Sequence, residues 1–153
     1  MAENPDVIRL VERVEHPPAP VLEGHRLLLP LRASDRHRSR HHGQTTTGLP
    51  VVLCLPRGTL LQDGDLLRGE RGEWVQVVAA PEPVLTVTAE HPQALLRAAY
   101  HLGNRHVPLE VTAAYLRLSP DPVLKAMLGQ LGLRVIEEIC PFRPEAGAYH
   151  HPH

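Results

Sequence analysis

The arrangement of apolar residues changes in kind near residue 80, and this change limits the possible folds more than any other feature. Before it, short apolar runs alternate with turn residues, as where Leu49 to Leu55 is followed by Pro56-Arg57-Gly58, and no useful helical period occurs. Two prolines within Ala80-Pro81-Glu82-Pro83 then predict a linker, because proline cannot donate to a sheet ladder. We therefore expect a small all-β domain, sandwich or barrel-like, over residues 1–80.

Beyond this linker, two stretches of helical period lie among short strands. Pro92 and Asp121-Pro122 are typical of helix starts, while Gly103 and Gly132 are predicted to follow the helix ends, where φ is often positive. The apolar residues at helical spacing are Leu95, Ala98, Ala99 and Leu102 in the first helix, and Leu124, Met127, Leu128 and Leu131 in the second.

Short strands are predicted on either side of these helices, at residues 84–88, 107–111, 115–118 and 134–139. The resulting order βαββαβ is typical of a ferredoxin-like domain, which we place at residues 81–143. The fold class predicted for the whole chain is therefore α+β, with the β domain first and the ferredoxin-like domain second.

Composition and motifs exclude several classes of function. The 16 basic and 17 acidic residues give a formal net charge of -1, whereas nucleic-acid binders usually carry a basic excess. The sequence has no GxxxxGK[ST], GxGxxG, HExxH or GxSxG motif and no evident nucleophile–base pair, so we expect no enzyme activity. Cys54 and Cys140 lie far apart without CxxC spacing, which argues against a thiolate metal site.

The sequence gives no sign of a membrane or export segment. No apolar run approaches the roughly 18–20 residues that a membrane-spanning helix requires, so we expect no membrane partner. The opening residues MAENPDVIRL lack the basic cluster and apolar core of a secretory signal. A cytoplasmic location is therefore the expectation.

Histidine is the unusual part of the composition, with 11 residues, and neutral imidazoles are ligands for transition metals. His106 ends the stretch Gly103-Asn104-Arg105-His106, directly after the first predicted helix. It is interpreted either as a loop imidazole bonded to a backbone carbonyl or as a metal ligand. One imidazole cannot hold a metal tightly, whereas two can when a two-fold axis brings the same residue of each subunit together.

The end of the chain, residues 144–153, is rich in small residues and proline, and we predict a mobile tail there. His150, His151 and His153 crowd its last positions. Histidine clusters of this kind bind Ni²⁺, Cu²⁺, Zn²⁺ or Co²⁺ through neutral imidazoles. The three residues are therefore candidate metal ligands.

Other histidines are weaker candidates for metal binding, and their roles stay open. His101 is expected to be a solvated residue on the first helix, away from its apolar stripe. His37, His41 and His42 lie among arginines, which repel a bound dication, so we expect a solvated, anion-attracting loop there.

Several longer stretches resemble the UreE family of urease accessory nickel chaperones. Residues 99–109, AYHLGNRHVPL, are similar to the core motif of that family, and residues 142–149, FRPEAGAY, are similar to its ending before terminal histidines. LPRGT at residues 55–59 and DGDLL at residues 63–67 resemble its N-terminal domain. The resemblance covers nearly the whole chain, and GNRH followed by VPL is a specific part of it.

The resemblance implies a role for the histidines and a set of partners. It implies a homodimer in which His106 and its symmetry mate bind Ni²⁺ at the interface, with His150, His151 and His153 as further ligands. Nickel would pass to a urease accessory GTPase and so to the urease apoprotein complex, and Zn²⁺, Cu²⁺ or Co²⁺ could substitute, since affinity alone does not select nickel. The alternative is a protein-binding scaffold of the urease maturation complex, with incidental metal binding.

Overall fold

The computed structural model describes residues 6–24 and 26–147 of the 153-residue chain. The chain divides after Ala80 into two compact units. Each unit holds a β-sheet together with one or two α-helices, so the protein is a mixed α+β chain. None of the helices within the described residues is both long and apolar enough to cross a lipid bilayer.

A six-stranded sheet forms the first unit. Its strands are β1 (Ile8–Val14), β2 (Leu27–Leu31), β3 (Arg40–Gln44), β4 (Pro50–Cys54), β5 (Leu66–Gly69) and β6 (Trp74–Ala79). They lie in the order β2-β6-β5-β1-β4-β3, where β1 with β4 and β2 with β6 run parallel and the other neighbours run antiparallel. Because side chains alternate along a strand, leucines and valines such as Leu10, Leu53 and Val75 meet in one buried core.

The expectation of an all-β first half leaves out a short helix, α1 (Ala19–Glu23), and a 3₁₀ turn (Asp35–His37). Helix α1 buries none of its side chains. The sequence therefore has no apolar stripe there from which a helix could be predicted. Pro20 lies in its first turn, where the fixed φ of proline suits a helix.

The predicted polar loop around His41 and His42 is wrong, because both residues lie in strand β3. This strand is at the edge of the sheet, and among the described strands it pairs with β4 alone. An edge strand can carry polar side chains on its exposed positions. His41 and Gly43 are half-buried while His42 and Gln44 are exposed, so the strand alternates without showing an apolar pattern.

The predicted linker at Ala80-Pro81-Glu82-Pro83 is also wrong, since strand β7 (Pro81–Thr88) begins within it. On one side, β7 pairs along its whole length with β10 (Arg134–Pro141). On the other side, β9 (Leu116–Leu118) pairs only with residues 85–87. The prolines therefore lie where β7 has a neighbour on one side alone, a position at which a missing N–H is tolerated.

The second unit has the order of strands and helices that the sequence predicts. Strand β7 leads to helix α2 (Pro92–Asn104), strands β8 (Glu110–Val111) and β9, helix α3 (Pro122–Gln130) and strand β10. The strands form one antiparallel sheet in the order β10-β7-β9-β8. Both helices pack on it in one apolar core, whose buried residues are Leu85, Val87, Leu95, Ala98, Leu102, Leu109, Leu116, Leu118, Leu124, Leu128 and Leu133.

The two faces of this second sheet differ in chemistry. Glu137 Oε1 lies 3.1 Å from Lys125 Nζ on α3, whereas Glu138 contacts Thr86 and Arg117. The adjacent carboxylates therefore point to opposite faces of the strand, as neighbouring side chains on a strand do. One face of the sheet is thus covered by the helices, and the other carries polar side chains.

Candidate metal centre

Helix α2 places His106 at a well-defined point just beyond its last turn. The helix runs farther than predicted, to Asn104, so Gly103 lies inside it. The N–H of His106 donates to the carbonyl of Gly103 at 3.0 Å, and the N–H of Val107 donates to the carbonyl of Leu102 at 3.1 Å. These bonds form a Schellman motif in which His106 occupies the C′ position.

His106 adopts a left-handed backbone with φ of 56°, and no other non-glycine residue among those described has a positive φ. Helix α3 ends in the same pair of bonds, but there Gly132 takes the left-handed position, with φ of 84°. A residue with a side chain costs about 1–2 kcal/mol more than glycine in this conformation. The fold thus keeps a histidine where glycine would strain the backbone less.

The imidazole of His106 is exposed, and it makes no hydrogen bond within the described part of the chain. Its interpretation as a loop imidazole bonded to a backbone carbonyl therefore finds no support there. Beside Arg105, side chains of α3 form an open groove, lined by Pro122, Val123, Ala126, Met127 and Gln130. His106 is accessible to a metal ion or to another protein molecule.

Within residues 6–24 and 26–147, no group of three or more His, Cys, Asp or Glu side chains could hold a metal ion. His101 is exposed on α2, and its ring lies edge-to-face with Tyr100 at 5.6 Å between centroids.

Desolvation raises the pKa of the Cys140 thiol, an effect that the charge of Arg117 partly offsets. The thiolate needed for metal binding is therefore disfavoured at neutral pH.

The segment after β10 is held against the chain at the start of β8. The N–H of Arg143 donates to Oε1 of Glu110 at 2.7 Å, and the N–H of Glu145 donates to the carbonyl of Leu109, also at 2.7 Å. Leu109 lies three residues after His106 in the sequence. The C-terminal segment is thus bonded to Leu109 and Glu110, which follow the candidate ligand His106 closely in the sequence.

Of the tail predicted at residues 144–153, the structure describes residues 144–147, where Glu145 is bonded to Leu109; a mobile tail stays a prediction for the rest. Phe142, just past the last strand, is 1% exposed and anchors the start of the segment in the fold, a signal that the sequence prediction overlooked. His150, His151 and His153 lie outside the described residues. Their role as ligands remains a prediction.

Comparison with known proteins covers both units. A family model described as UreE urease accessory protein, N-terminal domain, matches residues 7–80, and one described as UreE urease accessory protein, C-terminal domain, matches residues 82–153. A urease accessory protein UreE from Nostoc sp. is 58% identical over 130 residues, which cover 83% of this chain and 88% of that protein. The chain belongs to the UreE family of urease accessory proteins.

Two further UreE proteins are also more than half identical to this chain over most of its length. The protein from Microcystis aeruginosa is 58% identical over 123 residues, covering 80% of this chain and 78% of its own. The protein from Thermosynechococcus vestitus is 52% identical over 134 residues, covering 87% of this chain and 93% of its own. The resemblance noted from the sequence is confirmed, and these relatives are named as accessory proteins rather than as enzymes.

Sequence reasoning missed a polar cluster on the helix-free face of the UreE C-terminal unit. Glu110 and Arg117 face each other across β8 and β9, with Oε2 3.4 Å from Nη1. Arg117 Nε donates to Thr86 Oγ1 at 3.1 Å, and its guanidinium lies 4.1 Å from the centre of the Tyr115 ring. Polar residues at alternate strand positions were the available signal, but only the pairing register shows that they meet.

The histidines of the UreE N-terminal unit have a different surrounding. His41 Nδ1 lies 3.9 Å from Asp35 Oδ1, and Arg38 Nε lies 3.6 Å from the same oxygen. His37 ends the 3₁₀ turn, and His42 is exposed on β3. His41 and His42 therefore lie in an edge strand that also carries Arg40, with Arg38 nearby, and these positive charges disfavour a dication.

Proposed function

We propose that this protein is a nickel metallochaperone of urease maturation, without enzyme activity, that carries Ni²⁺ as cargo in a homodimer. Membership of the UreE family supports a role in urease maturation. The observation that supports the proposed nickel site is the exposed His106 imidazole. It lies at a left-handed helix end and makes no hydrogen bond among the described residues. Strain of this kind is found preferentially at functional positions.

The single imidazole is the reason that the proposal requires two chains. A two-fold axis beside α2 would present two identical helix ends, and so two His106 side chains, to one ion. The helix surfaces also offer apolar area for such a contact, since Leu96 and Tyr100 on α2 are 70% and 67% exposed and Val123 on α3 is 71% exposed. Large apolar side chains with such high exposed fractions are available for contact with another protein chain.

The proposal assigns the second unit to the ferredoxin-like fold, because its βαββαβ order and its antiparallel sheet agree with that fold. In this domain His106 binds nickel, and His150, His151 and His153 supply further imidazoles. Nitrogen ligands suit Ni²⁺, Cu²⁺, Zn²⁺ and Co²⁺ alike, so the other ions can replace nickel in vitro. Few fixed ligands also ease release of the cargo to a recipient.

The recipients in this proposal are a urease accessory GTPase and, through it, the urease apoprotein complex, in the cytoplasm. The first unit would hold these partners while the second carries the ion. A metal that is passed on must exchange its ligands one at a time, and exposed imidazoles permit that exchange. The site described above is accessible in this way.

Nickel titration of the full chain, combined with its mass measured by light scattering, tests the proposal. We expect about one tightly bound Ni²⁺ per two chains, and loss of this binding event in His106→Ala. His91→Ala is the matched control, because His91 is an exposed histidine at the other end of α2 whose side chain makes no capping bond. A His106→Ala variant that binds nickel as tightly as wild type would place the site elsewhere.

The scaffold alternative is favoured by one observation, the lack of a ready-made cluster of three ligands among the described residues. Urease activation at limiting nickel separates the two functions. A scaffold would still activate urease fully after His106→Ala combined with removal of residues 148–153. A nickel carrier would not.

A further inference from the structure

A buried carboxylate joins the C-terminal segment to the strand that follows His106. The side chain of Glu110 is 7% exposed, and each of its oxygens has a separate partner. Oε1 accepts the backbone N–H of Arg143 at 2.7 Å, while Oε2 lies 3.4 Å from Nη1 of Arg117. A buried carboxylate that uses one oxygen for a backbone N–H fixes the position of that backbone.

The partners of Glu110 are themselves held in place. Arg117 is bonded to Thr86 and stacks over Tyr115, so the charge that balances Glu110 is held by residues outside the C-terminal segment. Glu138 also lies near Arg117, at 3.9 Å, and its hydrogen bond is with Thr86. Glu110 is thus the carboxylate of this cluster that reaches the C-terminal segment.

A second bond extends the attachment, from the N–H of Glu145 to the carbonyl of Leu109. His150 lies five residues after Glu145 but eight after the buried Phe142. A chain spans at most about 3.5 Å per residue, so the attachment cuts the reach of His150 from roughly 28 Å to roughly 17 Å. The volume open to it falls about fourfold, and its effective concentration near the attachment point rises accordingly.

We propose that Glu110 is a positioning residue, which clamps the C-terminal segment to β8 so that the terminal histidines stay close to His106. The clamp comprises the Glu110–Arg143 and Leu109–Glu145 bonds. This inference rests on the proposed nickel function, but the clamp itself exists without metal. Its formation and its effect on nickel are therefore measured separately.

Amide hydrogen exchange of nickel-free full chain tests whether the clamp forms through Glu110. In Glu110→Ala we expect exchange of the Arg143 N–H to quicken at least tenfold. Glu138→Ala is the matched control, since it removes the other carboxylate near Arg117 without touching the segment, and it should leave this rate within twofold. An unchanged rate in Glu110→Ala would overturn the proposal, whatever nickel does.

Nickel titration then tests what the clamp does, with a pair of variants outside the buried cluster. Glu145→Pro lacks the N–H that bonds to Leu109, whereas Glu145→Ala keeps it. Because the Glu110–Arg143 bond remains in both variants, only the chain after Arg143 is released, and we expect about threefold weaker binding of Ni²⁺ to Glu145→Pro than to Glu145→Ala, with equal binding when both chains end at Gly147. Equal affinity in the full chains, or the same loss in the shortened chains, would overturn the positioning role.

The two failures are distinguishable. If wild-type protein binds no nickel at His106, the proposed function is wrong, although the exchange result for Glu110→Ala stands. If nickel binds at His106 and the Glu145 pair does not differ, the proposed function stands and the positioning role is wrong.

Discussion

At position 106 the backbone and the side chain have opposite requirements. The left-handed turn favours glycine by about 1–2 kcal/mol, whereas metal binding needs an imidazole. A ligand present at 100 times its Kd stabilises the bound fold by about 2.7 kcal/mol, which is more than the strain. In a protein that carries its metal, the strain at His106 is therefore offset by ligand binding. When the metal is absent, the strain lowers the stability of the fold.

The substitution His106→Gly tests this balance at the residue scale. In the presence of a chelator we expect the free energy of unfolding to rise by about 0.5–1 kcal/mol, because relief of strain exceeds the added entropy of an unfolded glycine. The reverse change, Gly132→His at the matching position after α3, should lower it by a similar amount, about 0.5–1 kcal/mol. Denaturant unfolding measures both, and a His106→Gly protein less stable than wild type would contradict the backbone argument.

At the scale of the elements, the two helices of the second unit begin in different ways. Asp121 caps α3, and its Oδ1 accepts the N–H groups of Val123 at 2.9 Å and Leu124 at 3.0 Å. His91, at the N-cap of α2, forms no side-chain bond to the helix. The start of α3 therefore depends on one side chain, and the start of α2 does not.

We expect Asp121→Ala to lower the free energy of unfolding by about 1 kcal/mol, because two backbone N–H groups lose their acceptor. His91→Ala, the equivalent change at α2, should alter it by only a few tenths of a kcal/mol, since no cap is removed. Thermal or denaturant unfolding in chelator compares the two. Similar losses for both variants would show that the cap bonds of Asp121 contribute little.

Elements with a regular apolar pattern could be predicted from the sequence, and those without one could not. The buried stripe of Leu95, Ala98 and Leu102 locates α2, and Asp121-Pro122 locates the start of α3. Strand β3 was missed because an edge strand needs no apolar face, and the first residues of β7 were missed because their prolines have a neighbour on one side only. His106 was found from its motif, whereas its left-handed backbone is seen only in the local hydrogen bonds of the helix end, and the clamp at Glu110 depends on bonds between segments distant in the sequence.

At the scale of the whole molecule, the proposed shared nickel site would link metal binding, dimerisation and stability. A ligand that binds only the folded dimer raises the apparent stability, and the effect grows with protein concentration. We expect Ni²⁺ to raise the Tm of wild type, more so in concentrated samples, and to leave the Tm of His106→Ala nearly unchanged. Calorimetry at several protein concentrations measures this, and equal shifts in both variants would contradict a shared site at His106.

The left-handed turn at His106 also affects attempts to engineer this protein for higher thermal stability. A screen that rewards heat resistance in metal-free medium favours glycine at that position, and so removes the proposed nickel ligand while improving the apparent quality of the variants. Thermal selection would need to alternate with selection for growth on urea when nickel is scarce, so that variants that are more stable but have lost the proposed nickel binding are eliminated.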